Sequence, residues 1–261
     1  MPPVLFDLSR LRLRRARAAR APAGIEDFLD RRAASDIAER LAAEPACARA
    51  AALFGTNAAF AATVAAALPS ARTEEFGLDR FLSEGAASLD AWLKPASFDR
   101  VAAGLGLHWM NDLPGVFALM RRSLRPGGMM IAALPGEGTL AELREALLRA
   151  ESAVSGGAAL RVGPFADIKA LGGLLQRAGF AMPVADQNRL VLRHRDVAAL
   201  IRDLRAMAMT NVVAGPVRPV SRAALAQARH ICESEFRDAD GRIRASFPIV
   251  YLTGRAPAAT G

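Results

Sequence analysis

The chain has 261 residues, enough to bury one large core, and its length favours a single α/β domain over two. Its 52% hydrophobic and 23% charged residues are typical of an ordinary soluble protein, with the hydrophobic share inflated by alanine. The net charge of +8 comes almost wholly from arginine, since Lys94 and Lys169 are the only lysines. Arginine excess in an alanine-rich chain reflects coding composition as readily as a nucleic-acid surface, so charge alone does not assign that class.

The cysteines and the apolar stretches bear on the compartment. Cys47 and Cys232 form neither a metal-ligand spacing nor a disulfide framework. A reducing compartment is therefore predicted, a bacterial-type cytoplasm in preference to a mitochondrial matrix. Residues 1–20 lack the apolar core of a secretory signal. Residues 50–68 are nearly uncharged but contain glycine, threonine and asparagine, which predicts a buried strand and helix rather than a membrane span.

Residues 1–24 form a basic N-terminal segment. No acid occurs between Asp7 and Glu26, and the intervening arginines would occupy nearly every face of a helix. One interpretation is a solvated, frayed start to the chain. The other is an electrostatic contact with an acidic partner, or a lid over the site. Behind this segment, one domain is predicted over residues 25–255, with a helical insertion at about 196–236. A disordered tail is predicted over residues 256–261.

The middle of the chain predicts a strand, a loop, a helix, a tight turn and a second strand. Residues 98–107 are apolar enough for a strand covered on both faces, and Asp112 is placed to cap the following helix. The Arg-Pro-Gly-Gly sequence at residues 125–128 predicts the turn, after which residues 129–134 return to the sheet. Such a unit is a right-handed crossover between parallel strands, so residues 106–112 should lie at the ligand-binding edge.

The remaining elements follow from shorter patterns. Thr139 and Glu142 have the spacing of a capping box at the start of a helix. Further along, the patterns predict a strand at 189–193, a helix at 196–206, a helix at 221–236 and a final strand at 247–253.

Three segments carry a resemblance to a known family. Phe98-Asp99-x-Val101, His108-Trp109 and Leu124-Arg-Pro-Gly-Gly128 resemble the fourth and fifth strands of class I S-adenosylmethionine (SAM) methyltransferases of type 11. Residues 107–114 and 138–144 and the pair Pro164-Phe165 resemble one branch more closely, the methyltransferase-like assembly factor of respiratory complex I. The biotin-pathway carrier methyltransferase is a cousin. The resemblance implies a Rossmann-like α/β fold with a seven-stranded sheet, an antiparallel last strand and helices on both faces.

The resemblance also identifies where a SAM-binding motif should stand. The family has an acid at the end of the first strand, followed by Gly-x-Gly-x-Gly, whose bare backbone approaches the cofactor. Here the first glycine is Gly55, while Asn57 and Ala59 stand at the second and third positions and Leu53 replaces the acid. One feature of four remains. The sequence therefore predicts that SAM binding is weakened or lost, with the side chain of Asn57 standing where the cofactor would lie.

Other cofactor contacts are implied at the ends of later strands. Glu75 is the candidate ribose ligand after strand two, against a solvated charge. Asp90 is the candidate adenine contact in the loop after strand three, and Trp92 could pack beside the adenine or belong to the core. Leu105 and Trp109 complete the cofactor-binding set at the end of strand four.

His108 and Asp112 are the candidate catalytic residues. His108 at the ligand-binding edge could act as a base or orient a substrate, or it could be a satisfied structural residue. Asp112 is a helix cap or an acid catalyst, and no metal ligands are predicted.

Two function classes follow, with a third resting on charge alone. The first is a methyltransferase-fold protein that acts on or binds a protein partner, by resemblance a respiratory complex subunit. The assembly-factor branch is associated with hydroxylation of an arginine on a subunit. Its partner surface would combine the basic N-terminal segment, the methionines at 207 and 209 and the His108-Trp109 edge. The alternative is an active SAM-dependent methyltransferase for a small molecule or a protein. Nucleic-acid methylation has no supporting motif.

Overall fold

The computed structural model describes residues 4–20, 28–45, 48–55, 57–84, 87–216 and 218–258. Cys47 and Thr56 lie outside the described residues, as do the last three residues of the predicted tail. The helices are α1 (Leu8–Ala18), α2 (Phe28–Ala42), α3 (Ala58–Ala66), α4 (Leu78–Glu84), α5 (Ala87–Trp92), α6 (Leu113–Ser123), α7 (Ala141–Ser155), α8 (Ile168–Arg177), α9 (Val197–Ala206) and α10 (Arg222–Glu235). The strands are β1 (Ala50–Phe54), β2 (Arg72–Glu75), β3 (Phe98–Ala103), β4 (Leu124–Pro135), β5 (Ala181–His194) and β6 (Ile243–Arg255).

The strands form one mixed sheet in the order β2-β1-β3-β4-β6-β5. The pairs β1–β2, β1–β3 and β3–β4 are parallel, and β6 is antiparallel to both β4 and β5. The predicted Rossmann-like α/β fold with an antiparallel last strand is confirmed. The described residues contain six strands where seven were expected, because the segment after β2 forms the short helices α4 and α5.

Helices cover both faces of the sheet, as predicted. Ala52, Val101 and Met130 point to one face, which buries the apolar sides of α4, α5, α6 and α8. Their neighbours in the same strands point to the other face, where α2, α3, α7 and α9 pack. The central strands are apolar on both faces because a parallel sheet lies between two helical layers.

Two boundary predictions in the middle of the chain were wrong. β3 ends at Ala103 rather than at residue 107, because glycines break the apolar run and Leu107–Trp109 form one turn of 3-10 helix. The Pro-Gly-Gly sequence does not form the predicted tight turn between α6 and the strand. It lies inside β4, where Gly127 has φ +74° and donates from its N–H to Ala256 O at 3.1 Å. Ala256 is therefore buried rather than part of a disordered tail.

The predicted capping box was also wrong. Leu140 holds the cap position of α7 with φ +54°, and the Thr139 hydroxyl donates to Gly136 O at 2.7 Å. Glu142 accepts from the backbone N–H of Ser246 at 3.0 Å and from its hydroxyl at 2.6 Å. Its carboxylate therefore ties α7 to β6 across the sequence.

The described part of the N-terminal segment is folded onto the domain rather than frayed. Phe6 and Leu11 are buried in the core, and Asp7 caps α1. The guanidinium of Arg15 donates to the carboxylate of Asp79 on α4 at 2.5 and 2.9 Å. α1 consequently lies across the carboxyl edge of the sheet. No helix within the described ranges has the length and apolar character needed to cross a bilayer.

Candidate functional site

The carboxyl end of β1 meets the ends of β2 and β3, and we call this region the β1 corner (residues 54–55, 57–60, 76–81 and 104–110). Its loops are hydrogen-bonded to one another rather than left open. Phe76 N donates to Leu53 O at 2.8 Å, and Leu78 N donates to Gly55 O at 3.1 Å. Gly104 N donates to Phe54 O at 2.8 Å. The three chain segments therefore extend the pairing of the sheet past the ends of its strands.

Two glycines of the β1 corner make room for Phe60. A Cβ on Gly55 would lie 3.0 Å from the Phe60 ring, and one on Gly104 would lie 2.8 Å from it. A side chain at position 104 would force the ring to shift, and one at position 55 would crowd it. Phe60 itself is only 1% exposed. Gly55, the one glycine retained from the family motif, thus leaves room for the Phe60 side chain.

The side chain of Asn57 contacts the start of α3 and helix α2, so the prediction that it stands where the cofactor would lie remains a prediction. Its backbone is extended, with φ −154°, and its Oδ1 accepts from Phe60 N at 2.8 Å as the cap of α3. Its Nδ2 faces Asp30 of α2 at 3.4 Å. Ala59 lies within the first turn of the same helix.

Aromatic and aliphatic side chains fill the rest of the β1 corner. Phe76 stacks on Phe54 at a centroid distance of 5.1 Å and on Trp92 at 5.6 Å. Phe81 and Met110 close the space from the neighbouring loops and are buried. The cavity that remains among them has a volume of about 20 Å³. Small-molecule sites enclose roughly 300–1,000 Å³, so the open space in the β1 corner is smaller than such sites in this conformation.

The remaining cofactor candidates are dispersed. Glu75 is exposed at the carboxyl end of β2 and pairs in register with Leu53, the position expected for a ribose ligand. Asp90 lies in helix α5, not in a loop after a third strand, and its carboxylate pairs with Arg122. Trp92 is buried behind Phe76 with the Arg80 guanidinium 4.4 Å from its ring centre. Leu105 is 5% exposed and belongs to the core on the α2 side of the sheet.

His108 is held in one tautomer by the backbone. Its Nδ1 lies 2.5 Å from Leu105 O, a group that only accepts, so Nδ1 carries the proton. Its Nε2 is buried and has no hydrogen-bond partner among the described residues. Burial lowers the pKa of His108 to about 3, so the ring is neutral at physiological pH. Its centroid lies 4.0 Å from that of Trp109 and 5.9 Å from that of Phe165.

The residues after His108 hold the N-terminal segment. Asp112 caps α6, as predicted, because its Oδ1 accepts from Gly115 N at 3.0 Å. Asn111 accepts from Leu5 N and Phe6 N at 2.8 Å each and donates to Phe6 O at 3.0 Å. The Phe6 ring then meets Trp109 edge-on at 5.1 Å. No sequence pattern indicated that Asn111 would hold residues 5 and 6.

A second region at this edge is open, and we call it the large cavity. It has a volume of about 1170 Å³ and lies between α1, α7, α9, α10 and the loops at 159–165 and 209–220. Trp109 is the only predicted site residue among its described lining residues. Seven arginines and several apolar side chains also line it. Arg10 and Arg14 among them belong to the basic N-terminal segment, whereas no role was predicted for the other five. Within the described ranges, no three His, Cys, Asp or Glu side chains are grouped to hold a metal.

Comparison with known proteins agrees with this architecture. Residues 41–132 match the family model of a methyltransferase domain. A crystal structure of a Bacillus halodurans protein described as a methyltransferase superposes with a TM-score of 0.56 at 12% identity, covering 86% of this chain and all of that one. Residues 41–132 therefore resemble a methyltransferase domain, and the chain shares the fold of that solved structure.

Two curated relatives resemble this methyltransferase-fold chain in sequence. The mitochondrial arginine-hydroxylase NDUFAF5 of Dictyostelium discoideum is 34% identical over 63% of this chain and 38% of its own length. The malonyl-[acyl-carrier protein] O-methyltransferase of Xylella fastidiosa is 34% identical over 62% of this chain and 53% of its own length. The matched part of the chain thus spans about half or less of these relatives.

Proposed function

We propose that this methyltransferase-fold protein acts on or binds a protein partner, by resemblance a respiratory complex I subunit, and that its SAM binding is weakened or lost. The observation that carries the proposal is the β1 corner, where the chain's own aromatic side chains leave a cavity of about 20 Å³. The likeness to NDUFAF5 relatives supports the protein partner. The mitochondrial NDUFAF5 relative supports a mitochondrial matrix location, and the bacterial relative supports a bacterial cytoplasm.

The exposed side chains of α1 support a partner surface of definite chemistry. Arg12 and Arg17 are exposed, and Leu13, which lies between them in the sequence, is 60% exposed. Exposed arginines near an exposed leucine complement an acidic partner segment that carries apolar side chains. Arg10 and Arg14 of the same helix line the large cavity.

Calorimetric titration with SAM tests the loss of cofactor binding. Two lost charge-assisted contacts, at roughly 1.5–3 kcal/mol each, would move a micromolar site towards millimolar affinity. We therefore expect no saturable heat at micromolar SAM. A saturable micromolar signal would show that the corner opens to admit the ligand and would overturn this part of the proposal.

Capture from the native cell tests the partner. The tagged protein should retain a complex I subunit, and Arg12→Glu with Arg17→Glu should reduce recovery strongly. Arg31→Glu is the matched control, since Arg31 is an exposed arginine of α2. Absence of any respiratory subunit from the wild-type capture contradicts the partner assignment.

An active SAM-dependent methyltransferase is the second candidate. It is favoured by the exposed carboxylate of Glu75 at the ribose-binding position and by the malonyl-[acyl-carrier protein] O-methyltransferase relative. Transfer of a labelled methyl group from SAM to a protein or small-molecule acceptor, lost in Glu75→Gln, would establish it.

A further inference from the structure

Apolar side chains form the floor of the large cavity. Leu140, Leu143, Val162, Leu204 and Val212 line it, and each is 6% exposed or less. They come from α7, α9 and the two loops that close the cavity. An occupant of this space therefore meets apolar side chains over most of its length, and burial of its own apolar surface would drive binding.

The backbone that surrounds the cavity is already hydrogen-bonded. Leu160 O accepts from Asn211 Nδ2 at 2.7 Å, and Gly163 O accepts from Arg144 at 3.0 Å. Val213 N donates to Asn211 Oδ1 at 2.9 Å, and Val213 O accepts from Arg10 at 2.7 Å. A peptide chain in the cavity would leave its own backbone groups without partners, which is costly. A hydrocarbon chain has no such requirement.

The rim supplies positive charge in excess. Arg14, Arg205 and Arg218 line the cavity without a side-chain hydrogen bond or ion pair in the described part of the chain. Burial and then the neighbouring cations Arg17, Arg10 and Arg205 lower the pKa of Arg14. Asp196 is the single acid among the described lining residues, and it already caps α9 and pairs with Arg195. An anion at the rim would relieve this repulsion.

We propose that the large cavity binds a long-chain fatty acid, with the aliphatic chain on the apolar floor and the carboxylate between Arg14 and Arg205. A planar carboxylate matches the two parallel N–H groups of a guanidinium, which favours this head group. The exposed Leu160 and Leu225 at the rim extend the apolar path towards solvent. The inference goes beyond the proposed function and does not depend on it.

Displacement of the fluorescent probe 11-(dansylamino)undecanoate from the delipidated full chain tests the assignment. Palmitate should displace the probe saturably, and hexadecanol, which lacks the carboxylate, should bind at least about tenfold more weakly. The double variant Arg14→Gln, Arg205→Gln should weaken palmitate by about tenfold or more while hexadecanol changes less than about twofold. Ile201→Glu, which places a carboxylate on the lining of the cavity, should abolish displacement in a chain whose circular dichroism is unchanged.

The control is Arg31→Gln, an exposed arginine of α2 away from the cavity, which should leave palmitate affinity unchanged. Equal binding of palmitate and hexadecanol, or an unchanged affinity in the double variant, overturns the carboxylate assignment. Hexadecyl phosphate binding tenfold or more tightly than palmitate would assign the cavity to a phospholipid instead. Displacement only by an acidic peptide would assign it to the protein partner, and no saturable probe binding would reject a ligand cavity.

Discussion

Two neighbouring regions at one edge of the sheet differ more than fifty-fold in open volume. The β1 corner encloses about 20 Å³, while the large cavity encloses about 1170 Å³. In the β1 corner, aromatic side chains and loop hydrogen bonds fill the space between the strand ends. In the large cavity, the N-terminal segment and the insertion between β5 and β6 enclose open space. Segments outside the central strands therefore determine where open space lies at this edge of the sheet.

The largest expected effect lies in the β1 corner, at Phe60. Phe60→Ala should lower the free energy of unfolding by about 3–5 kcal/mol, because the ring is fully buried. Gly104→Ala alone should cost about 1–3 kcal/mol, because its Cβ would lie 2.8 Å from that ring. In the double variant the second cost should largely disappear. Urea unfolding of the four proteins measures the coupling.

Gly77→Ala is the matched control for this cycle, since nothing lies within 4 Å of a Cβ at that position. It should change stability by less than about 0.5 kcal/mol. If Phe60→Ala leaves too little folded protein, Phe60→Leu serves in its place with a smaller cost. Strict additivity of the Phe60 and Gly104 changes would show that the glycine is not there to admit the ring.

The second prediction concerns the N-terminal segment that closes the large cavity. Asn111→Ala removes three hydrogen bonds to residues 5 and 6 and should release that segment locally, by up to about 3 kcal/mol. Hydrogen exchange should then accelerate in α1 while β3 and β4 stay protected. Unchanged exchange in α1 would mean that the ion pair between Arg15 and Asp79 suffices to hold it.

Some features of these two regions could be predicted from the sequence, and others could not. The β3–α6–β4 crossover was predictable because its pattern is local: apolar strands, the Asp112 cap and the following helix stand within one short stretch. The loss of the glycine motif was likewise visible at residues 53–59. The direction taken by the Asn57 side chain was not, because it depends on the α3 cap and on Asp30 of another helix.

The large cavity could not be predicted for a different reason. Arg10 and Val213 meet across 203 positions of sequence, and Asn111 binds Phe6 across 105. No local pattern indicates such contacts.

The sequence contains one indication that aromatic side chains fill the β1 corner, since Phe76 directly follows the candidate ribose ligand Glu75. Among the described residues, the strand expected between β2 and β3 is absent. The sequence did not indicate this, because the short segment Ala87–Trp92 can bury Leu89 and Trp92 from a helix as well as from a strand.

The third prediction uses His108, which lies in the β1 corner beside Trp109 of the large cavity. Its pKa is about 3 in the folded chain and 6.5 in its ordinary environment. Between pH 3 and pH 6.5 the ring is therefore protonated in the unfolded chain and neutral in the folded one. Stability from this residue is present above pH 6.5 and is lost as the pH falls towards 3. The loss should reach about 2 kcal/mol at pH 5. His108→Gln should remove that share of the pH dependence.

Urea unfolding at pH 7 and at pH 5 measures this effect, with His230→Gln on the exposed side of α10 as the control. His194, whose pKa burial also lowers, remains in both proteins and cancels in the difference. An equal pH dependence in wild type and His108→Gln would contradict the buried neutral ring. In that case His108 would be accessible to water and available as a base.

The smallest expected effect separates the two roles considered for Asp112. As a helix cap, its replacement in Asp112→Ala should cost about 1 kcal/mol, while Asp112→Asn should cost little because the amide oxygen can still accept from Gly115 N. A role in acid catalysis would make both variants equally inactive, since neither alanine nor asparagine can donate the proton that a carboxylic acid supplies. Thermal unfolding and a methyl-transfer or hydroxylation assay on the same two variants therefore distinguish them. Full stability in Asp112→Ala would show that the hydrogen bond from Gly115 N to Asp112 does not stabilise the fold. The presence of a carboxylate between the two regions would then have to be explained by a role other than capping.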